Sequence, residues 1–178
     1  MGEDIFVELG DSLILAPEIT GEIVEINWSP NNIFDNCVDS INCFNPLFYP
    51  TGQISVSATV MDDNGCSDTD FVTIFVSKKR YVYIPNAFSP DGEDDPENET
   101  FMIYGGKAVE KVTMFRVFTR WGELVHETSN FVPGDSKDGW DGYFNGKMMN
   151  PGVYVYMAEI EFSDGLKQIF RGDVTLMR

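Results

Sequence analysis

The strongest constraint on this fold is a hydrophobic pattern that repeats every second residue. In residues 54–60, apolar side chains alternate with Ser and Thr. This alternation predicts a β-strand with one buried face and one face in water. Residues 71–76 form a run of β-branched and aromatic side chains, which strands favour. Because we find no convincing helical period anywhere in the chain, the sequence predicts an all-β protein.

Turn residues separate the strand patterns at short, regular intervals. Asn64-Gly65 lies between two of these patterns and predicts a hairpin. The second half also consists of strand patterns separated by turn residues. These strand patterns lie at 81–84, 101–104, 112–118, 123–126, 153–162 and 168–177. Short strands that alternate with Gly, Pro and Asn turns are typical of β-sandwiches.

A basic segment, Ser77-Lys78-Lys79-Arg80, interrupts an otherwise acidic chain of 178 residues. Residues 1–79 contain 13 acidic and 2 basic residues, a net charge of -11, and residues 80–178 contain 16 and 10, a net charge of -6. Each part has the size of one small sandwich. We therefore predict two immunoglobulin-like antiparallel β-sandwich domains in tandem, one at 1–79 and one at 80–178.

The total charge of -17 excludes several classes of partner. Nucleic-acid binding needs clustered Lys and Arg, and anionic lipid repels an acidic surface. No apolar run approaches the roughly 20 residues that a membrane helix needs. The acidic start Met1-Gly2-Glu3-Asp4 lacks the basic region of a signal peptide, so we expect a fragment of a longer exported protein.

The first half resembles the PKD and immunoglobulin-like modules that occur in tandem on bacterial surface proteins. The residues that carry this resemblance are Gly10-Asp11-Ser12-Leu13-Ile14-Leu15, Asn27-Trp28-Ser29-Pro30 and Val60-Met61-Asp62-Asp63-Asn64-Gly65-Cys66. The resemblance implies a spacer module.

The second half, residues 81–178, carries five motifs in order. They are Ile84-Pro85-Asn86-Ala87-Phe88-Ser89-Pro90-Asp91-Gly92, residues 115–125 (FRVFTRWGELV), Gly139-Trp140-Asp141-Gly142, residues 150–156 (NPGVYVY) and residues 172–178 (GDVTLMR). With these motifs the segment resembles the gliding-motility-associated C-terminal domain, which is the type B sorting domain of Bacteroidota type IX secretion.

The second resemblance implies a non-catalytic signal that directs a protein through the periplasm and across the outer membrane, to the cell surface or the medium. Its implied partners are the type IX translocon and a PorP-like outer-membrane accessory protein. We expect no nucleic acid, no small-molecule substrate and a monomer. The residues on which we expect recognition to depend are Arg120, Trp121, Gly122, Gly172, Leu176, Met177 and Arg178.

Six carboxylates lie between Asp91 and Glu99, in a loop two residues longer than the pattern usual in that family. Calcium takes six to eight oxygen ligands and tolerates irregular loops. Asp91, Glu93 and Asp95 have the alternating spacing of a calcium loop, and Asn98 or Glu99 could complete the shell. A solvated acidic loop without metal is the interpretation that we favour, and a calcium site is the alternative.

The three cysteines are an odd number for an exported protein, in which disulfides are expected. In modules like the first half, a cysteine often precedes the Gly-Asp-Ser turn and pairs with the Asn-Gly-Cys position. This chain has Glu8 at that place. We therefore favour a Cys37–Cys43 disulfide with Cys66 free, and Cys43–Cys66 is the alternative.

A second function class remains open, a calcium-dependent adhesin or glycan-binding module of a surface protein. The aromatic residues that could form a glycan platform in the second half are Trp121, Trp140, Tyr143, Phe144, Tyr154 and Tyr156. Alternation assigns Tyr154 and Tyr156 to a core face first. Catalysis would need His126, the one histidine, which lies in a strand pattern.

Overall fold

A computed structural model describes residues 2–37, 43–90, 92 and 98–177. The chain divides into two compact units, Met1–Lys79 and Arg80–Arg178. Within the described residues there is no α-helix, and the prediction of an all-β fold is confirmed. In that part of the chain, no helix is long and apolar enough to span a bilayer.

Six strands form the first unit. They are β1 (Ile5–Glu8), β2 (Leu13–Ile14), β3 (Glu25–Ser29), β4 (Leu47–Phe48), β5 (Ile54–Met61) and β6 (Ser67–Ser77). The main sheet has the order β1-β6-β5-β3, and β2 pairs with β4 in a second, two-stranded sheet. Alternation sends Ile26, Trp28, Val56, Val72 and Ile74 into the core, where each is at most 3% exposed.

Nine strands and one short 3-10 helix form the second unit. They are β7 (Val82–Tyr83), β8 (Ala87–Phe88), β9 (Tyr104–Gly105), β10 (Val109–Thr119), β11 (Leu124–Thr128), the 3-10 helix Ser136–Asp138, β12 (Tyr143–Phe144), β13 (Lys147–Met148), β14 (Gly152–Phe162) and β15 (Lys167–Leu176). The main sheet has the order β11-β10-β14-β15-β8, and the pairs β7-β9 and β12-β13 form two small sheets.

Aromatic rings fill the core of the second unit. Phe101 packs with ring centroids 5.9 Å from Phe88 and 5.5 Å from Phe115. The Trp140 ring lies 5.3 Å from Phe88 and 4.7 Å from Tyr154. Such contacts add to the free energy gained from burying the rings themselves.

One feature departs from the expected antiparallel sheets. The first strand of each main sheet pairs in parallel with the last, β1 with β6 and β8 with β15. In both units this parallel pair forms one edge of the sheet.

Candidate functional site

The segment Arg120-Trp121-Gly122 forms the tip of the hairpin between β10 and β11. The N–H of Gly122 donates to the carbonyl of Thr119 at 2.9 Å, and the N–H of Thr119 donates to the carbonyl of Glu123 at 2.8 Å. Gly122 has a φ of +86°, in the left-handed region that glycine adopts without steric cost. The turn therefore fixes Gly122 and projects the neighbouring side chains into solvent.

Trp121 is 86% exposed, more than any other large hydrophobic side chain in the part of the chain that the structure describes. The guanidinium carbon of Arg120 lies 5.4 Å from the centre of its ring, a cation–π distance. Both residues line a cleft of about 500 Å³ whose opposite wall is formed by residues 150–154. An exposed indole beside a cation and a cleft is an arrangement that suits protein recognition.

The terminal strand divides the predicted signal residues into buried and exposed ones. Leu176 is 2% exposed and lies beside Phe88 in the parallel pair. Met177 donates its N–H to the carbonyl of Phe88 at 2.9 Å, while its side chain is 44% exposed. Arg178 lies outside the described residues.

Gly172 has a packing role that its position in the motif did not indicate. It pairs with Tyr156 across β14 and β15, and a Cβ at this position would lie 2.9 Å from the Tyr156 hydroxyl oxygen. A side chain at Gly172 would therefore displace the Tyr156 ring. Gly172 and Leu176 support the sheet, and their contribution to recognition would be indirect.

The sheet register brings the hairpin tip and the chain end to the same end of the second unit. Thr119 pairs with Tyr154, and Tyr154 pairs with Val174. Two strand spacings of about 4.8 Å separate Thr119 from Val174. Trp121 and Met177, far apart in sequence, thus lie at the same end of the strands, which we call the tip end.

Two further segments lie at the tip end, and sequence reasoning did not assign them to the site. Residues 150–154 line the cleft, and Tyr154 donates its hydroxyl proton to the carbonyl of Asn150 at 2.8 Å. Gly142, with a φ of +79°, packs so closely that a Cβ would lie 3.3 Å from Leu176 Cδ1. Both segments belong to sequence motifs, and only the tertiary structure shows that they adjoin Trp121 and Leu176.

Two hydrogen bonds hold the bend around Trp140. Asp141 accepts the N–H of Tyr143 at 2.9 Å through Oδ1, and the indole N–H of Trp140 donates to the carbonyl of Tyr143 at 3.0 Å. Trp140 is fully buried, and Tyr154 is 6% exposed. A surface glycan platform built on these two residues is therefore wrong, because both belong to the core.

The proposed calcium residues Asp91, Glu93 and Asp95 lie outside the described residues. Asn98 is described, and its backbone carbonyl accepts the N–H of Ser89 at 2.9 Å. Glu99 follows it in a turn. Among the described residues, no three His, Cys, Asp or Glu side chains are grouped to hold a metal. Nothing in the described residues tests the choice between the solvated loop that we favour and the calcium site that is its alternative.

In the first unit, Cys37 and Cys43 are joined by a disulfide, and Cys66 is free and exposed. The carbonyl of Cys43 accepts the indole N–H of Trp28 at 2.7 Å. This hydrogen bond ties the cross-linked loop to the central tryptophan of the core, since a buried indole N–H needs a partner.

His126 lies on β11 with its ring 5.4 Å from that of Phe115. Burial lowers the pKa of His126 from its ordinary value of 6.5, and the carbonyl of Asp138 and the charge of Asp141 oppose that shift. The neighbouring Thr128 donates its hydroxyl proton to the carbonyl of Asp138 at 2.8 Å. These contacts place His126 at the junction between β11 and the 3-10 helix.

The second unit is a β-sandwich with an exposed Trp121 at the tip end. The family model described as "CHU_C Type IX secretion signal domain" matches residues 82–176. The chain belongs to this family of type IX secretion signal domains. No curated protein matches the chain.

The chain also matches several solved structures, with TM-scores below 0.5. The fibronectin(III)-like modules of CbhA from Clostridium thermocellum have 9% identity and a TM-score of 0.33, covering 98% of this chain and 89% of that one. Dimeric latent PorU from Porphyromonas gingivalis has 13% identity and a TM-score of 0.34, with 99% of this chain and 19% of that one covered. A tetra-tandem repeat from the extending region of a large adhesion protein has 16% identity and a TM-score of 0.35, covering 87% and 41%.

Proposed function

We propose that residues 80–178 are a folded, non-catalytic sorting signal, which we call the address. It directs the attached protein through the type IX system to the cell surface or the medium. The type IX translocon and a PorP-like accessory protein of the outer membrane would bind this domain. Residues 1–79 would hold this address away from the preceding polypeptide as a spacer.

The observation that carries this proposal is the gathering of Trp121, Arg120 and Met177 at the tip end. Tryptophan and arginine are enriched among the residues that dominate binding energy, and they act from the centre of a contact surface. Here Trp121 is 86% exposed and the adjoining cleft could receive a side chain of the partner. Recognition would therefore need the folded sheet, since the register alone brings these residues together.

Edge pairing offers a second contact for the same partner. The last residues of β15, Thr175 and Leu176, already pair with β8. Within the described residues, no strand pairs with the same edge of β15 at 167–174. An extended segment of the partner could add to the sheet there. Arg171 stands on this stretch, whereas the ammonium group of Lys167 pairs with Glu159 at 3.9 Å and Glu161 at 3.6 Å.

The test is export of a reporter fused ahead of residues 1–178 in a host with type IX secretion. We expect Trp121→Ala, and removal of residues 177–178, to leave most of the reporter in the periplasm. Tyr81→Ala is the matched control because Tyr81 is also 62% exposed but contacts Gly106, away from the tip end. Its reporter should reach the surface as the unchanged chain does.

Removal of residues 172–178 would be less informative, because it deletes the buried Leu176 and Val174 and would unfold the sheet. Equal export of the Trp121→Ala and unchanged fusions, with both folded, would reject the tip end as the recognition surface. Equal export after removal of the whole unit 80–178 would reject the address itself.

A further inference from the structure

The outer face of the main sheet in the first unit has an unusual composition. Strand alternation points Ile26, Val56, Val72 and Ile74 inward, so the residues between them point outward. The outward residues of the four strands are Phe6, Asn27, Ser29, Ser55, Ser57, Thr59, Thr69, Phe71, Thr73 and Phe75, with Glu8, Glu25, Met61, Ser67 and Ser77 at the ends of the strands. The centre of this face therefore consists of phenyl rings, hydroxyl groups and one amide.

Three phenylalanines stand on this face, and two of them are more than two-thirds exposed. Phe6 and Phe75 are neighbours on β1 and β6, with ring centroids 5.0 Å apart and an angle of 13° between the rings. Phe6 is 76% exposed and Phe71 is 69% exposed. Phe71 lies four residues from Phe75 on the same strand, about 13 Å away at the usual rise per residue. The rings thus provide two apolar contact points along one line.

Hydroxyl groups continue the face beside the rings. The hydroxyl oxygens of Ser55 and Thr73 lie 3.3 Å apart, and those of Thr59 and Thr69 lie 2.9 Å apart. Ser57 pairs with Phe71 between these two couples. In each couple one hydroxyl donates its only proton to the other, so the accepting hydroxyl can still donate to a ligand and both can still accept. A row of such groups suits a ligand that itself carries many hydroxyls.

Charge is kept away from the centre of this face although the unit has a net charge of -11. Asp68 and Asp70 lie on β6 with the opposite parity, so their side chains point to the other side of the sheet. Glu8 stands at one end and pairs with Lys79 at 3.0 Å, and Glu25 stands at the opposite end, where it accepts from Asn27 at 2.6 Å. The acidic surroundings would repel an anionic polymer.

We infer that the outer face of the first sheet binds a neutral polysaccharide. The phenyl rings would stack on the C–H faces of sugar rings, as aromatic faces do with weakly positive edges. The Ser and Thr hydroxyls would exchange hydrogen bonds with the sugar hydroxyls. Neither contact requires a charge, and the acidic margin selects against anionic chains. This inference concerns residues 1–79 and is independent of the proposed secretion function.

The test is affinity electrophoresis of residues 1–178 in gels that contain hydroxyethyl cellulose, xyloglucan or laminarin, with polygalacturonate as the acidic counterpart. We expect retardation by at least one neutral polymer and none by polygalacturonate. Phe71→Ala should weaken binding about fivefold, the effect of losing one aromatic contact. Phe71→Tyr should retain binding, and Phe71→Leu should weaken it about as much as Phe71→Ala does, because leucine has no ring face.

Tyr49→Ala is the matched control, since Tyr49 is 51% exposed and follows β4, in the other sheet of the same unit. Thermal unfolding of each variant checks that the fold persists. Absence of retardation by all three neutral polymers would overturn the inference. Unchanged binding by Phe71→Ala, or full binding by Phe71→Leu, would overturn it as well. Export of a reporter is not measured here, so failure of this inference leaves the secretion proposal untouched.

Discussion

The last strand of each unit occupies the same position in its sheet. In residues 1–79, β6 lies between antiparallel β5 and the short parallel strand β1. In residues 80–178, β15 lies between antiparallel β14 and the short parallel strand β8. The strand order β1-β6-β5-β3 thus corresponds to β8-β15-β14-β10, and the second unit adds β11 outside β10.

The units differ in what stabilises this common arrangement. The first has a largely aliphatic core around Trp28 and a disulfide between Cys37 and Cys43. The second contains no cysteine, and it has two 11-residue strands, β10 and β14, over a core of aromatic rings. Small sandwiches with little apolar surface benefit from a cross-link, whereas a long aromatic-packed hairpin does not need one. The added hairpin also carries Trp121.

The largest effect should come from Trp140→Ala. It removes a fully buried ring that contacts Phe88 and Tyr154, so the second unit should lose about 3–5 kcal/mol of unfolding free energy. Trp121→Ala deletes the same side chain from an exposed site and should cost about 0.5 kcal/mol or less. Chemical denaturation followed by near-ultraviolet circular dichroism would measure both. Similar losses from the two variants would contradict the assigned burial.

A smaller effect, confined to the first unit, should follow replacement of both Cys37 and Cys43 by Ser. The disulfide closes a loop with a sequence separation of 6, so its loss should cost about 2 kcal/mol. Hydrogen exchange of the amides in β3 and β5 would report the loss. Cys66→Ser is the control, since this exposed thiol is unpaired and its replacement should change little. Faster exchange in β10 and β14 as well would contradict separate stabilisation of the two units.

The smallest effect should be a pH dependence of the second unit alone. Burial lowers the pKa of His126 in the folded state below 6.5, so the unfolded chain binds a proton first as the pH falls. The contribution of the neutral His126 imidazole to the unfolding free energy is therefore fully present above pH 6.5 and decreases below it. Unfolding free energies measured between pH 7.5 and about 5 should show this decrease. In the His126→Asn variant, the unfolding free energy of the second unit should fall with pH no more than that of the first unit. If the pH dependence of the second unit is the same in the variant as in the unchanged chain, His126 is not its source.

The strands and many turns could be predicted from local pattern. The alternation in residues 54–60 and the hairpin signal at Asn64-Gly65 correspond to β5, its turn and β6. The parallel edge strands could not be predicted, because β8 contains two residues and its pairing with Thr175 and Leu176 spans most of the unit. A two-residue strand carries no periodicity of its own.

The candidate site shows the same division. Motifs identified Arg120, Trp121 and the chain end as residues of interest. They did not show which of these residues are exposed and which are buried in the sheet. Gly172 and Leu176 proved to be packed against Tyr156 and Phe88, while Trp121 and Met177 are exposed. The outer face of the first sheet was missed for a related reason, since Phe6 and Phe75 are distant in sequence and become neighbours only through parallel pairing.

The sequence by itself determined that this chain is all-β, that it is strongly acidic and that its second half carries the secretion-signal motifs. Period-two alternation and short motifs are local properties, and net charge is a sum over residues. All three can therefore be recognised in the sequence without the three-dimensional structure. Only the tertiary structure decided which residues of each strand share a face and which distant segments meet at the tip end. Strand register fixes both, and register arises from pairings between residues far apart in the chain.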